Sequence, residues 1–383
     1  MRRIYLDNSA TSYPKPEAVY RALDHFMREV GASAGRGAYA EARWTEARIQ
    51  ECREAICQLI HAPKPERLIF TLNATDALNL AIRGVVKPGD HVVTSAMDHN
   101  SVLRPLNALQ ERGIITYTRV ECSRTGEMDP DDLRRALRPN TRLIAMVHGS
   151  NVCGSLLPVV EVGKIARERG ILCLIDAAQT CGAYPIDLSV WPVDLLAFPG
   201  HKGLLGPLGT GALYIGEGVE LATVREGGTG SVSEKDTQPE MLPDRYEAGS
   251  HNAAGIVALL EGVRYLLDRG VEEVRAHKER LVARFLSRVT QIEGVTVRGP
   301  QQAERNAGVV SVTVEGLTPQ QVANALDERY RVQTRPGLHC APWAHRALGS
   351  YPAGTTRFSL GPFTTEEEID TAAAALAEVA QGR

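Results

Sequence analysis

The chain has 383 residues, of which 43% are hydrophobic and 23% charged, and its formal net charge is -3. This composition is typical of a globular protein, and the absence of a long basic run argues against a nucleic-acid partner. There is no apolar run of about 18 residues, and Met1-Arg2-Arg3 leads straight into Ile4-Tyr5-Leu6-Asp7, which is too short and polar for a signal sequence. We therefore expect a cytoplasmic protein that does not cross a membrane.

The cysteines form no C-x-x-C pair and no metal-like spacing with histidine, so we expect no metal site. Their odd number fits free thiols in a reducing compartment. Cys173 lies in an apolar run and is expected to pack as a small hydrophobic residue. The seven cysteines are Cys52, Cys57, Cys122, Cys153, Cys173, Cys181 and Cys340.

Short apolar runs alternate with segments of helical spacing through the first part of the chain. The runs typical of strands covered on both faces are 68–71, 91–94, 143–147 and 172–175. The segments with helical spacing are 75–82, 101–110, 130–137 and 159–167. This alternation predicts a mostly parallel sheet between helical layers, with a ligand at the carboxyl ends of the strands.

After Asn252 the pattern changes to long helices followed by a compact α+β unit. The elements predicted there are helices over 255–267, 271–289, 319–329 and 365–379 and strands over 295–297 and 309–314. We predict a large domain over 16–260 and a smaller one over 261–383. Residues 1–15 are expected to pack at the entrance of an active site between the two domains.

A lysine follows an apolar run in the stretch 197–203, downstream of a carboxylate that ends the strand within 174–179. A lysine that forms a Schiff base with an aldehyde needs a backbone that lets its amine reach the cofactor, and glycines flank Lys202. Asp176 can keep a pyridine nitrogen protonated. Each residue alone is typical of a solvated loop or a strand-end cap. Together, in this order, they indicate a pyridoxal phosphate enzyme.

Three further strand ends carry polar residues. Thr75 and the amides around it open a helix and can meet a phosphate, although a plain N-cap is the alternative. His99 can stack on a planar ring and shuttle a proton, or be structural. Asn151 can bond a phenolic oxygen or shape a turn.

These positions resemble the class V aminotransferase family, and within it the SufS-like cysteine desulfurases and selenocysteine lyases. The resemblance runs from Tyr5-Leu6-Asp7-Asn8-Ser9-Ala10-Thr11 to Arg357. It implies the α/β fold-type-I architecture, with pyridoxal 5'-phosphate as cofactor. The implied cofactor residues are Lys202 as the Schiff-base lysine, Asp176 as the pyridinium partner, Gln179 and Asn151 at the phenolic oxygen, His99 as the stacking histidine, and Ala74, Thr75 and His201 at the phosphate.

Two loops, one with Thr229 and one with Ser250, resemble loops that reach the cofactor from the partner subunit. The resemblance therefore implies a homodimer.

The stretch 335–342 is similar to the catalytic-cysteine loop of the family and contains Cys340. A thiolate there would attack the sulfur of the substrate and present a persulfide to an acceptor, and His339 and Arg335 are expected to supply positive charge. The alternative is a cysteine that only packs. Arg357 matches the arginine that clamps the substrate carboxylate, with Arg335 and Asn151 as further contacts, whereas a surface ion pair is its alternative.

The sequence also departs from the family pattern. Pro199 replaces the usual Ser or Thr, which removes a hydroxyl and a backbone donor near the phosphate. Ser250 replaces a common Thr. Asn100, Leu338, and Tyr39 after the Arg36-Gly37 pair stand where the SufS-like enzymes often carry histidines, which bears on the proton relay and the acceptor.

The resemblance implies removal of sulfur from L-cysteine, giving L-alanine and a persulfide on Cys340 for an acceptor protein. One alternative is selenocysteine lyase, and another is a sulfur-carrier scaffold whose main task is delivery. The sequence leaves the downstream pathway open among iron-sulfur assembly, thiolated RNA and thiocofactors.

Overall fold

The structure is a computed structural model that describes residues 3–35 and 37–382. Arg36 of the Arg36-Gly37 pair and the Met1-Arg2 start lie outside the described residues. Among the described helices, none is both long and apolar enough to span a membrane.

Strands and helices alternate along most of the described chain. The strands are β1 Ile4–Tyr5, β2 Leu68–Thr71, β3 His91–Ser95, β4 Thr116–Val120, β5 Thr141–Val147, β6 Leu172–Asp176, β7 Leu195–Pro199, β8 Gly211–Ile215, β9 Val295–Val297, β10 Val309–Val314, β11 Val332–Gln333, β12 Arg335–Gly337 and β13 Thr355–Ser359. The α-helices are α1 Glu17–His25, α2 Ala40–Leu59, α3 Ala74–Val85, α4 Asn100–Glu111, α5 Pro130–Ala136, α6 Val159–Glu168, α7 Ala253–Arg269, α8 Val271–Val289, α9 Pro319–Tyr330, α10 Pro342–Leu348 and α11 Glu366–Ala380.

The larger sheet has seven strands in the order β2-β8-β7-β6-β5-β3-β4. Only β8 runs antiparallel to its neighbours within this sheet, so the mostly parallel sheet predicted from the alternation is confirmed. The chain reverses after the lysine turn and pairs back as β8, where the Gly200 N–H donates to the Thr210 carbonyl at 2.8 Å. That reversal carries no periodic signal in the sequence.

Helical layers cover both faces of this sheet, which explains the continuous apolar runs of its central strands. Along β5, Leu143 and Ala145 pack into the layer that contains α3 and α4. Ile144 and Met146 pack into the opposite layer, with α2, α6 and α7. Cys173 is fully buried in that second layer, as expected.

The smaller sheet has the antiparallel order β12-β13-β10-β9. Its core is shared with α8, α9 and α11. The N-terminal strand β1 pairs in parallel with β11, so the start of the described chain belongs with this C-terminal unit. The division at residue 260 lies inside α7, and the two domain ranges stay predictions.

The predicted helices are present within a few residues of their expected bounds, and the caps correct two details. Asn73 is the N-cap of α3, because its side chain accepts from the Asp76 N–H at 3.0 Å. Thr75 therefore lies inside the first turn and is not the cap. At α11 a capping box joins Thr365 to Glu368, so Thr365 is the cap and the helix begins at Glu366, one residue after the predicted start.

Candidate active site

A cavity opens at the carboxyl ends of β3, β5, β6 and β7, where a doubly covered sheet is expected to bind its ligand. Its lining contains every predicted cofactor-binding residue except Thr229 and Ser250, which are expected to act from a partner subunit. The roles of these lining residues stay predictions. The lining residues are Asn73, Ala74, Thr75, His99, Ser101, Val147, Gly149, Asn151, Asp176, Ala178, Gln179, Pro199, His201 and Lys202.

Lys202 lies in the turn that follows β7. A Cβ atom at Gly203 would collide with the Cys181 carbonyl oxygen, and one at Gly200 with the Thr210 side chain, so this tight turn accepts only glycine at both places. Burial lowers the pKa of Lys202 to about 8, and Asp176 opposes that shift. The neutral, nucleophilic form of the amine is therefore easier to reach here than for an exposed lysine.

Asp176 ends β6 and is 3% exposed. One of its carboxylate oxygens accepts from the Ala178 N–H at 2.9 Å. Burial raises the pKa of Asp176, while the Ala178 N–H and the Lys202 charge lower it. A buried carboxylate of this kind gains most from a cationic partner such as a pyridinium N–H.

Replacing Asp176 with Asn tests that role. We expect Asp176→Asn to lose turnover by at least about 100-fold, because an amide cannot hold the ring nitrogen in its charged form. Steady-state alanine formation measures this, with the visible absorbance of the bound cofactor as the control for loading. Near-normal turnover in the loaded variant would contradict the assignment.

His99 caps the N-terminus of α4 through its own ring. Its Nδ1 accepts from the Ser101 N–H at 3.1 Å, so the ring proton lies on Nε2. The Ser101 hydroxyl lies 2.9 Å from Nδ1 and 2.7 Å from the Thr75 hydroxyl. Burial, with Lys202 and Arg335 nearby, lowers the pKa of His99 to about 4, so the ring is neutral near pH 7. Sequence reasoning missed Ser101, whose signal was a serine two residues after a helix-capping histidine.

The residue before His99 fixes the turn that presents it. Asp98 is fully buried and accepts from the Thr94 and Ser95 hydroxyls, the Ser95 N–H and the Val147 N–H, all within 2.7–2.8 Å. These bonds tie the end of β3 to the end of β5. Burial raises the pKa of Asp98 to about 6 in spite of those donors.

The cavity fits pyridoxal phosphate on three independent features. The N-terminus of α3 opens into it and offers free N–H groups to a phosphate. His201 Nδ1 and Asn151 Oδ1 are buried there without a hydrogen-bond partner among the described residues. Asp176 supplies the carboxylate that a pyridinium needs. Gln179 is also buried, with its Nε2 donating to the Ser9 carbonyl at 3.1 Å.

Two arginines lie side by side near this cavity, because Arg335 of β12 pairs with Arg357 of β13 in the antiparallel register. Arg357 is 1% exposed, so the alternative that this arginine only forms an ion pair at the surface is wrong. Its Nη1 donates to the Asn151 carbonyl at 2.9 Å and its Nη2 to Asp7 Oδ1 at 2.6 Å. Sequence reasoning missed Asp7, which lies 350 residues away along the chain.

Cys340 is exposed, so the alternative of a cysteine that only packs is wrong. It lines a second cavity together with Arg83, Asn100 and Arg104, and the two cavities share Thr75, His99 and Ser101. The two openings therefore adjoin at these shared residues.

The loop that carries Cys340 is anchored on both sides of the thiol. His339 and Cys340 both have positive φ, 48° and 57°, which turns the chain sharply and is often found at functional sites. The Asn100 N–H donates to the Cys340 carbonyl at 2.8 Å, and Asn151 Nδ2 donates to the His339 carbonyl at 2.7 Å. Asn100, one of the departures from the family pattern, thus holds the loop through its backbone.

The expectation that His339 supplies positive charge is wrong. The ring is 4% exposed, and its Nε2 is 3.1 Å from the Thr355 hydroxyl. Burial, with Arg357 next, lowers its pKa to about 2, so the ring is neutral at any physiological pH. Arg104 and Arg83, which line the Cys340 cavity, were not among the predicted site residues.

Thr229 and Ser250 lie away from the Lys202 cavity of their own chain. The two loops are joined, because the Gly249 N–H donates to the Gly228 carbonyl at 2.7 Å. Glu247 anchors them through a buried ion pair with Arg53, at 2.8 Å, and by accepting from the Phe70 N–H at 2.6 Å. Ser250 itself is exposed at the end of this fixed loop.

A mostly parallel sheet with a buried carboxylate and a low-pKa lysine at its strand ends defines the class of fold-type-I pyridoxal phosphate enzymes. Residues 4–371 match the family model "Aminotransferase class-V", and the chain belongs to that family. Members of the family use pyridoxal 5'-phosphate.

Relatives and solved structures agree with this assignment. A "Probable cysteine desulfurase" of Methanothermobacter thermautotrophicus is 35% identical, over 98% of this chain and 94% of that protein. The apo structure of a cysteine desulfurase from Thermococcus onnurineus NA1 is 33% identical with a TM-score of 0.93, covering 100% of this chain and 95% of that one. The cysteine desulfurase CsdA from Escherichia coli is 25% identical with a TM-score of 0.89, covering 99% and 95%.

Proposed function

We propose that the protein is a pyridoxal phosphate-dependent cysteine desulfurase, which converts L-cysteine to L-alanine and places the sulfur on Cys340 as a persulfide for an acceptor protein. The observation that carries the proposal is the junction of the Lys202 and Cys340 cavities at shared residues. The cysteine desulfurases similar to this chain over nearly its whole length support it. The test is product analysis on L-cysteine, described at the end of the Discussion.

The cofactor, when bound, supplies an electron sink for negative charge that develops at the substrate carbon. Lys202, with its lowered pKa, is suited to take the Cα proton and return a proton to a neighbouring carbon. Asp176 would hold the positive charge of the ring nitrogen of the bound cofactor. Positioning of this kind supplies a large share of an enzyme's rate enhancement.

Cys340 is assigned the sulfur transfer. Its thiolate attacks the substrate sulfur, the carbon–sulfur bond breaks, and its electron pair stays on carbon, which takes a proton. The sum is L-cysteine plus the Cys340 thiol giving L-alanine plus the Cys340 persulfide. Arg104 and Arg83 line the same cavity as Cys340.

His99 Nδ1 already accepts from Ser101, so the ring has an N–H at Nε2 and no free acceptor. This geometry gives no support to uptake of the substrate thiol proton by His99, which stays a prediction that rests on the family resemblance alone. Stacking on the cofactor ring needs no free lone pair and is compatible with the neutral ring.

We assign Arg357 to the substrate carboxylate, with Arg335 beside it. Arg357→Lys is expected to raise KM for L-cysteine by at least about 10-fold, because an ammonium cannot reproduce the planar two-pronged contact. Initial rates over a range of L-cysteine concentrations measure this effect. A KM equal to that of the wild type would contradict this role and would indicate that Arg335 binds the substrate carboxylate instead.

We also propose a homodimer in which Thr229 and Ser250 complete the phosphate site of the partner. The support is that both loops lie away from their own chain's cavity while being tied to each other and to Arg53 through Glu247. L-selenocysteine as a second substrate, a cytoplasmic location and a link to iron-sulfur assembly stay predictions from the sequence.

A further inference from the structure

Two arginines and two aromatic rings form a surface on and beside α10, the helix that follows Cys340. Cζ of Arg119 lies 3.2 Å from the centre of the Trp343 ring. Cζ of Arg346 lies 4.9 Å from the same ring and 3.8 Å from the centre of the Tyr351 ring. We call these four residues the arginine–aromatic face. Cys340 and Trp343 are three residues apart, so their Cα atoms lie within about 11 Å of each other and the face adjoins the thiol.

The arginine–aromatic face is open to solvent. Arg346 is exposed, Tyr351 is 42% exposed and Trp343 is half-buried. Within the described part of the chain, the Arg346 guanidinium contacts the two rings and no hydrogen-bond acceptor. Stacking uses the flat side of a guanidinium group and leaves its N–H edge available for a carboxylate. The face therefore presents an oriented arginine with free donors.

Further arginines lie at both ends of α10. At its C-terminal end, a Cβ atom at Gly349 would collide with Nη1 of the exposed Arg124, so this guanidinium lies against the helix cap. At its N-terminal end, Arg83 and Arg104 line the cavity of about 450 Å³ that contains Cys340. No Asp or Glu among the described residues lines that cavity. Positive charge therefore extends from the cavity to the far end of α10.

The chain itself does not neutralise this charge. Within residues 3–35 and 37–382, no ion pair joins a carboxylate to any of the five arginines named above. Glu121 acts on Arg119 through its charge, and Glu127 is already paired with Arg305. The surroundings of Cys340 therefore have an excess of positive charge, although the formal net charge of the whole chain is -3.

The carboxylates of a protein fit this surface better than a nucleic acid does. Sites for single-stranded nucleic acids combine positive charge with free aromatic faces on which the bases stack. Here Arg119 and Arg346 lie over the Trp343 ring, and Arg346 also lies over the Tyr351 ring. Arginine and aromatic residues side by side are typical of the residues that dominate protein–protein binding.

We propose that the arginine–aromatic face, together with Arg124, binds an acidic segment of the acceptor protein and so brings the acceptor thiol to Cys340. This inference rests on the proposed function, since it places the persulfide on Cys340. The acceptor thiolate attacks the outer sulfur of the persulfide, the sulfur–sulfur bond breaks, and Cys340 leaves as a thiolate. Complementary charge of this kind steers association and selects among partners.

The test measures binding of two fluorescein-labelled nonapeptides to the cofactor-loaded protein by fluorescence anisotropy. One peptide has four glutamates on each side of a central serine, and the other has glutamines in their place. For the wild type we expect the glutamate peptide to bind at least about 10-fold tighter at low salt. This preference should shrink at about 1 M salt, because salt screens exposed charges.

Arg124→Gln/Arg346→Gln should weaken binding of the glutamate peptide by at least about 5-fold, since each lost contact is between exposed charges. Arg28→Gln/Arg288→Gln is the matched control. It removes the same charge from two exposed arginines outside the face, both of which are paired with aspartates, and should bind the peptide like the wild type. Melting temperature and cofactor absorbance confirm that each variant is folded and loaded.

Sulfur delivery is followed with the central serine of the glutamate peptide replaced by cysteine. After addition of L-cysteine, a gain of about 32 Da reports sulfur uptake by the peptide. Each uptake rate is divided by the rate of sulfide release to dithiothreitol in the same variant. This ratio should fall by at least about 5-fold in Arg124→Gln/Arg346→Gln and equal the wild-type ratio in Arg28→Gln/Arg288→Gln.

Equal binding of the two peptides by the wild type overturns the proposal, as does unchanged binding of the glutamate peptide by folded, loaded Arg124→Gln/Arg346→Gln. If that variant does not fold, the wild-type comparison still decides. Tighter binding of a nine-nucleotide thymidine strand than of the glutamate peptide would assign the face to nucleic acid and overturn the proposal too.

Light scattering covers the remaining occupant of the face. A lower molar mass for Arg124→Gln/Arg346→Gln than for the wild type would show that a second copy of this chain covers the face, which also overturns the proposal. The binding assay needs no turnover. Failure of the wild type to convert L-cysteine would therefore reject the proposed function while leaving peptide binding separately measurable.

Discussion

Lys202→Ala is expected to abolish turnover of L-cysteine, with a loss of at least about 10³-fold. The variant lacks both the amine that bonds the cofactor and the base within reach of the substrate Cα, and one such proton-transferring group alone commonly contributes 10²- to 10⁴-fold. Its visible absorbance should also differ from that of the wild type, since the cofactor can no longer be bonded through this residue. Turnover is measured as alanine formed, and absorbance is recorded on the same sample.

Lys278→Met is the matched control. Lys278 is another partly buried lysine close to Lys202, where a neighbouring cavity is lined by both, and burial lowers its pKa to about 8 as well. Its amine has no hydrogen-bond partner among the described residues and no place in the reaction. The control should keep the wild-type absorbance and turnover. A Lys202→Ala protein that still cycles L-cysteine would refute the assignment of the cofactor lysine.

Cys340→Ser is expected to lower sulfur release from L-cysteine by on the order of 100-fold or more, because an oxygen in place of the sulfur cannot form a persulfide. Folding should be unaffected, since Cys340 is exposed and surface substitutions commonly change stability by less than about 0.5 kcal/mol. Mass spectrometry of the wild type after brief exposure to L-cysteine should find one added sulfur, about 32 Da, on the peptide with Cys340.

Cys122→Ser serves as the control thiol, because Cys122 is half-buried and lines neither cavity. It should retain wild-type sulfur release. Full activity of Cys340→Ser, with the extra sulfur found on Cys153 or Cys181, would overturn the role of Cys340. Cys340→Ser also tests the first alternative, because a selenocysteine lyase keeps forming alanine from L-selenocysteine without Cys340. The second alternative needs a separate test, because the turnover of a carrier scaffold depends on an added acceptor protein.

The sequence predicts this site well where the signal is local. Parallel strands with short loops deliver their C-terminal residues to one edge, so Asp176, His99 and Lys202 could be placed together from strand runs and the polar residues after them. The glycines around Lys202 could be recognised in the same way, because they lie in the short loop that follows a strand. The mostly parallel sheet and the approximate bounds of α3 to α9 and of α11 followed from periodicity within short windows, whereas α1, α2 and α10 were not predicted.

What the sequence did not reveal depends on contacts between distant segments. The Asp7–Arg357 pair joins the two ends of the chain through the pairing of the N-terminal segment with β13. His339 resembles a cation in sequence, yet tertiary packing buries it and removes its charge. The reversal into β8 likewise comes from pairing with β7 and β2, which no local pattern encodes.

The predicted cofactor contacts of Ser250 and Thr229 differ from those of the other site residues. Their loops lie away from the cavity in the folded chain, so their predicted contact with the cofactor depends on a second copy. Neither periodicity nor local packing within one chain bears on that contact.

Product analysis of the purified, cofactor-loaded protein with L-cysteine and a thiol reductant tests the central claim most directly. The account predicts one L-alanine for each sulfide released, because the carbon that loses sulfur takes a proton and the amine stays on the substrate. Formation of pyruvate and ammonia with sulfide, or of a keto acid without sulfide, would contradict it.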